Sequence, residues 1–155
     1  MPDTLLIERL AIHDLLCQFQ GAFDLLDWQR MEGCLWEQLH VDYSSFRNEP
    51  PGIMMREDYI ALRRAALSKL KMQHNFSNLL ISVCGDDASA QCNYQILRFL
   101  AADCRSETDF FHSYGRYYLG LAQREGEWRI CRIRQELIAN HGTPGLHLAA
   151  LAKQH

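Results

Sequence analysis

A chain of 155 residues, 48% apolar and 23% charged, is long enough to bury about 68–70% of its unfolded surface, which favours one domain with a core and a pocket. Sixteen Lys and Arg against 19 Asp and Glu leave a net charge of −3, with basic residues scattered apart from Arg63-Arg64 and the Arg129 to Arg134 segment. Without a basic face, nucleic acid is not the expected partner.

The six cysteines, Cys17, Cys34, Cys84, Cys92, Cys104 and Cys131, form no C-x-x-C pair and lie in apolar segments, which suits reduced thiols in the cytoplasm. No stretch reaches 18 apolar residues and no basic-then-apolar leader opens the chain, so neither a membrane span nor secretion is expected.

Pro2-Asp3-Thr4 offers capping residues, and Leu5, Ile12, Leu16, Phe19, Phe23 and Leu26 then recur at helical spacing. One long amphipathic helix is expected first. Asp27 has the character of an N-cap for a short helix from Trp28 to about Trp36. His40 to Phe46 reads as a strand, and Asn48-Glu49-Pro50-Pro51-Gly52 as a loop, since two prolines and a glycine suit neither helix nor ladder. Arg56 to Leu70 returns to the helical period, with Tyr59, Ile60, Leu62, Ala66, Leu67 and Leu70 on its apolar side.

Everything beyond reads as sheet. Leu79 to Cys84 is apolar and closes on Gly85-Asp86-Asp87, whereas the preceding Met72 to Asn78 carries His74, Asn75, Ser77 and Asn78. Alternation continues from Ala88 to Ala101. Cys104 to Asp109 connects to a third strand, Phe110 to Arg124, and Glu125-Gly126-Glu127 turns into a last one, Trp128 to Ile138. Helices followed by an antiparallel meander make an α+β plan, with no repeat or linker to divide it. Asn140 to Gly145 ends the sheet, and Leu146 to His155 is expected as a short helix or a flap over the pocket or another subunit.

A strand that enters the core carrying an imidazole suggests a pocket cut into the sheet, with His74 on its wall. A solvated or merely hydrogen-bonded histidine is the plainer alternative. Asp24 is adjacent to the apolar stripe of the first helix, in line with Cys17 and Gln20. A carboxylate there is partly buried and needs a partner, which an imidazole supplies; capping the next turn or pairing with an arginine would serve as well. Tyr117 shares a strand face with Ser113, Gly115 and Leu119, either as cavity wall or as core. His40, Asp42, His112, His141 and His147 match no metal-site spacing. Neither a phosphate loop nor a nucleophile elbow is present, so no metal and no cofactor is expected.

Taken in order, Phe23-Asp24-Leu25-Leu26-Asp27-Trp28, the Trp36 to Tyr43 segment, His74 to Leu80 and the hairpin Tyr114-Gly115-Arg116-Tyr117-Tyr118 through Trp128-Arg129-Ile130 carry a resemblance over nearly the whole chain. It resembles the SnoaL-like branch of the nuclear transport factor 2-like superfamily, which includes scytalone dehydratase, bile-acid 7α-dehydratase and hexachlorocyclohexane dehydrochlorinase. The resemblance implies a cone-shaped barrel, with three N-terminal helices packed in a strongly curved, mostly antiparallel sheet. It also implies a cofactor-independent lyase or isomerase, with dehydration favoured, acting on a small hydrophobic molecule of cyclic, polyketide-like or steroid-like kind. Asp24 and His74 fall on the Asp/His dyad of these lyases, and Tyr43 falls where the two dehydratases have a tyrosine. His74 is then the general base, Asp24 fixes its tautomer, and Tyr43 donates its hydroxyl to a carbonyl or departing oxygen. Phe19, Phe23 and Phe76 are expected to wall the pocket.

The chain departs from the pattern in three places. Phe23 stands where scytalone dehydratase has a tyrosine. No second pocket histidine occurs in Ala88 to Ala101, which offers Asn93, Tyr94, Gln95 and Arg98. The last-strand arginine of the dehydrochlorinase falls on Ile133, so Arg132 or Arg134 joins a substrate only through a bulge. Gly115-Arg116-Tyr117 and Trp128-Arg129-Ile130 also resemble the β subunits of ring-hydroxylating dioxygenases, which serve as partners of a catalytic subunit. A third reading is a small-molecule binding module, in which Asp24 and His74 are out of hydrogen-bond reach. An outer sheet face carrying Ile96, Phe99, Leu121 and Ile130 would need cover, and the resemblance points to a homotrimer, with a dimer next.

Overall fold

The first helix, α1 (Pro2–Asp24), turns Ile12, Leu15, Leu16, Phe19, Ala22 and Phe23 to the interior, in a computed structural model that describes residues 2–47, 49–100 and 105–146. It ends because Leu26 adopts a left-handed conformation, φ 53°, so that the Asp27 N–H reaches back to the Ala22 carbonyl at 2.9 Å and that of Leu26 to Phe23 at 3.2 Å. Asp27 then caps α2 (Trp28–Cys34), its carboxylate accepting the Arg30 N–H at 3.0 Å. One turn of chain thus closes one helix and opens the next.

Strand β1 (Leu35–Asp42) starts five residues before the expected His40 and stops short of Phe46. The Asp42 carboxylate accepts from both the Ser44 N–H and its hydroxyl, at 3.0 and 2.7 Å, and turns the chain into a short helix, α3 (Ser44–Arg47). Gly52, expected in a loop, opens β2 (Gly52–Met55), which pairs antiparallel with β1. Then come α4 (Arg56–Leu67), β3 (Lys71–Cys84), β4 (Asp87–Phe99), β5 (Phe110–Arg124) and β6 (Glu127–Gly142). The strands make one curved, unclosed sheet in the order β2-β1-β6-β5-β4-β3, antiparallel throughout except where β1 meets β6. Within α4 the buried positions are Tyr59, Ile60 and Arg63, whereas Leu62, expected on the apolar side, is 51% exposed. The tail beyond Leu146 and Cys104 lie outside the described residues.

Strand β3 changes phase halfway. Its pairing with β4 slips between Ser77 and Leu80, where Asn78 takes a left-handed φ of 54°, a conformation asparagine tolerates better than most residues. Before this bulge Met72, His74 and Phe76 are turned inward; after it Leu79, Ile81 and Val83 are. A second slip, between Tyr114 and Gly115, depends on the glycine: a Cβ there would lie 1.9 Å from the Glu136 carbonyl oxygen.

One expectation about the sheet is overturned. Ile96, Leu121 and Ile130 are 1%, 1% and 0% exposed within the single chain, because they belong to the inward sets of β4, β5 and β6 that face the helices. Phe99 is half-buried, edge-on to His112 at 5.1 Å. The opposite face shows Gln91, Asn93, Gln95, Arg132 and Arg134 to solvent, so these four apolar residues supply no argument for a partner subunit. No helix among the described residues is long and apolar enough to cross a membrane.

Candidate active site

Asp24 stands on the last turn of α1, where the helix dipole disfavours a carboxylate and hydrogen-bond donors must compensate. The neighbouring strand provides them. The backbone N–H of His74 on β3 lies 2.9 and 3.0 Å from the two carboxylate oxygens, and its Nδ1 lies 2.7 Å from Oδ1. Nδ1 therefore carries the proton and Nε2 keeps its lone pair. The imidazole is 3% exposed and stacks on the Phe23 ring, with centroids 4.7 Å apart and planes inclined by 17°. Burial pushes the pKa of His74 below its ordinary 6.5, and although Asp24 pulls the other way, burial prevails. The ring is neutral at pH 7, as a base must be.

His74 and Phe23 form one wall of a cavity of about 410 Å³ inside the curve of the sheet. Tyr43, at the end of β1, contributes to the same cavity, its hydroxyl 2.8 Å from that of Tyr59 on α4. The guanidinium of Arg63, one turn beyond Tyr59, lies 4.6 Å from the centroid of each of these two rings. Tyr59 is fully buried, and burial together with Tyr43 pushes its pKa well up. Burial opposes the charge of Arg63, but the two phenolic oxygens more than offset it and keep the group cationic. From β4, Arg98 donates through Nη1 to the Ser113 hydroxyl at 2.9 Å. Burial, with Arg47 and Arg63 nearby, pushes Arg98 down to about 10, which leaves it charged at neutral pH.

The model of the SnoaL-like domain matches residues 4–134. The chain belongs to the SnoaL-like domain family. Among solved structures, the Kfla4162 protein of Kribbella flavida superposes with a TM-score of 0.82 at 18% identity, covering 94% of this chain and 98% of its own. A candidate scytalone dehydratase from Novosphingobium aromaticivorans gives 0.77 at 18%, over 93% of each chain. A type 2 hexachlorocyclohexane dehydrochlorinase gives 0.76 at 17%, over 94% and 95%. At such identities these likenesses speak for the fold. No curated protein matches the sequence.

Within this SnoaL-like domain the residues singled out from sequence divide into two sets. Asp24, His74, Tyr43, Phe23 and Tyr117 meet at or beside the cavity. Phe19 is 1% exposed and packs edge-on against Phe23 from behind, at 5.3 Å. Phe76, one inward position beyond His74, packs on the core and lies edge-on to His13 at 6.1 Å. Arg134 lies outside: its side chain is 56% exposed, 3.9 Å from Asp42 and over the Tyr118 ring. The bulge that would be needed to bring it inward does exist, between Ile130 and Arg132 against β5, but it turns Ile133 into the core and both arginines out. Among the described residues, no three His, Cys, Asp or Glu side chains gather as a metal-holding group.

The sequence reading missed Arg47, Arg63 and Gln135 as cavity residues, and passed over Arg98. The signal was there for two of them. Arg98 continues the inward alternation of Tyr94 and Ile96, and Arg63 lies one helical turn from Tyr59.

Proposed function

We propose that this SnoaL-like domain is a lyase that needs no cofactor and removes a proton from carbon in a small molecule held in the cavity. The observation that carries the reading is the 2.7 Å contact between Asp24 and a neutral, buried His74 on the cavity wall. His74 Nε2 takes the proton, the C–H electron pair becomes the new C=C π bond, and the leaving group departs from the adjacent carbon with its own bonding pair. Asp24 stabilises the imidazolium through Nδ1–H. In the dehydration form of the reaction, Tyr43 gives its phenolic proton to the departing hydroxyl, which leaves as water. The Tyr59 hydroxyl and the Arg63 cation then stabilise the Tyr43 phenolate until the proton on His74 returns to it.

A binding module without turnover requires no contact between Asp24 and His74, and a partner subunit of a dioxygenase requires no poised base; the buried pair supports the enzyme reading over both. The test is a panel of β-hydroxy ketones, β-hydroxy acids and halogenated alicyclics, followed by mass spectrometry in D2O. Loss of water or halide by the wild type, abolished in His74→Ala, is the expected outcome. Turnover that survives His74→Ala, or none across the panel, would sink it.

A further inference from the structure

The cavity has a marked imbalance of charge. Arg47 from α3, Arg63 from α4 and Arg98 from β4 all line it, while no Asp or Glu among the described residues does. Arg47 and Arg63 both lie over the Tyr43 ring, 5.5 and 4.6 Å from its centroid. Arg47 and Arg98 both lie over that of Phe46, at 5.9 and 5.7 Å. Arginines elsewhere in the chain do pair with carboxylates, among them Arg30, Arg56, Arg116, Arg124, Arg129 and Arg134. Arg63 is only 4% exposed, and its Nη1 is buried with no hydrogen-bond partner; Gln135, equally buried on the same wall, has an unpartnered Nε2. Buried cations and amide donors are costly when unmatched, and both of these orphans are donors. Glu49 acts on Arg47 from beyond the lining; what the described lining of this end lacks is an acceptor with negative charge.

We propose that the substrate is an organic carboxylate, its anionic end held by Arg63, Arg98 and Gln135 and its apolar body lying along Leu67, Ile96 and Phe111. The inference deepens the lyase reading of the same cavity and rests on it for the placement of the carbon next to His74. It replaces a purely hydrophobic substrate by an amphipathic one. A guanidinium fork matches a carboxylate geometrically as well as electrically, and a volume of about 410 Å³ is at the small end of ligand pockets.

The inference is tested by calorimetric titration of benzoate, cyclohexanecarboxylate and 2-naphthoate, each against its neutral amide, with wild type, Arg98→Gln and His74→Gln. The expected result is that at least one acid binds the wild type about tenfold or more tighter than its amide. That preference should disappear in Arg98→Gln, be partly restored in Arg98→Lys, and persist in His74→Gln. Equal affinity of every acid and amide for the wild type, or a preference unchanged in Arg98→Gln with the fold verified by circular dichroism, overturns the proposal. The two readings fail separately. Acid-selective binding with no turnover anywhere in the panel sinks the lyase and leaves the anion site standing, whereas turnover that His74→Ala abolishes, with no preference for acid over amide, does the reverse.

Discussion

The two ends of the cavity solve the problem of buried polarity in opposite ways. At the α1–β3 end every donor of His74 meets an oxygen of Asp24, and the imidazole is neutral and stacked on Phe23. At the α4–β4 end three guanidiniums come together among hydroxyls and aromatic faces, with the Glu49 carboxylate acting on Arg47 from beyond the cavity lining. A satisfied site is fixed in geometry before any ligand arrives; an unsatisfied one is complete only when a ligand supplies the missing group. On the proposed reading, the difference separates what would prepare the reaction from what would select the molecule.

Removing the proposed base should have the largest effect. His74→Ala is expected to lower kcat by about 10³-fold or more, and Asp24→Asn by about 10²–10⁴-fold, because an amide can present its NH2 to Nδ1 and reverse the tautomer. Steady-state kinetics would check both, and an Asp24→Asn enzyme of full activity would remove the rationale for the pair.

Arg98→Gln should act differently, raising KM by about tenfold or more with a smaller change in kcat, as loss of uniform binding does.

The pH profile sharpens the contrast further. Since the native pKa of His74 is depressed below 6.5, kcat/KM should fall on an acid limb whose midpoint lies under that value. The same shift sets the stability. The unfolded chain takes up the proton more readily than the native one, so the contribution of His74 is fully present above pH 6.5 and is lost as pH falls through the depressed native pKa. Arg98 is among the charges that lower it, so in Arg98→Gln the acid limb should move to higher pH; a limb that stays in place would mean that the two ends are electrostatically independent.

The smallest effect is expected for Tyr59→Phe, which leaves the Tyr43 hydroxyl without its 2.8 Å partner. Thermal or urea unfolding should register a loss of about 1 kcal/mol, with kcat reduced only a few-fold.

Most of the fold was legible because it rests on local signals: the helical spacing of α1, the Asp27 cap and the Glu125-Gly126-Glu127 turn all act within a few residues. Asp24 and His74 stood out because each interrupts an apolar pattern, but it was the resemblance to the SnoaL-like branch that joined them as a pair. What escaped depends on long-range pairing. The early start of β1 and the existence of β2 are decided by neighbours far away in sequence, and only the full ladder shows that Ile96 and Leu121 share an inward face. Arg63 was hidden by its chemistry. A guanidinium in a helix reads as solvated, and its burial makes sense only beside Tyr43 and Tyr59, which arrive from another element and from the previous turn.

The bulge at Asn78 lets one strand present two inward sets that a regular ladder would separate. His74 and Leu79 are an odd number of positions apart, so in an unbroken strand they would face opposite sides of the sheet; the extra residue between Ser77 and Leu80 brings both to the same side. Deleting Asn78 would leave a plain alternation in which Phe76 and Leu79 are neighbours on one face, and both the imidazole and the core could keep their places. Straightening the strand at unchanged length would do the opposite: with Leu79, Ile81 and Val83 held in the core, His74 would turn to the solvent side. Spacing and bulge are therefore one unit, and a related chain can lack both and still carry an imidazole in its cavity.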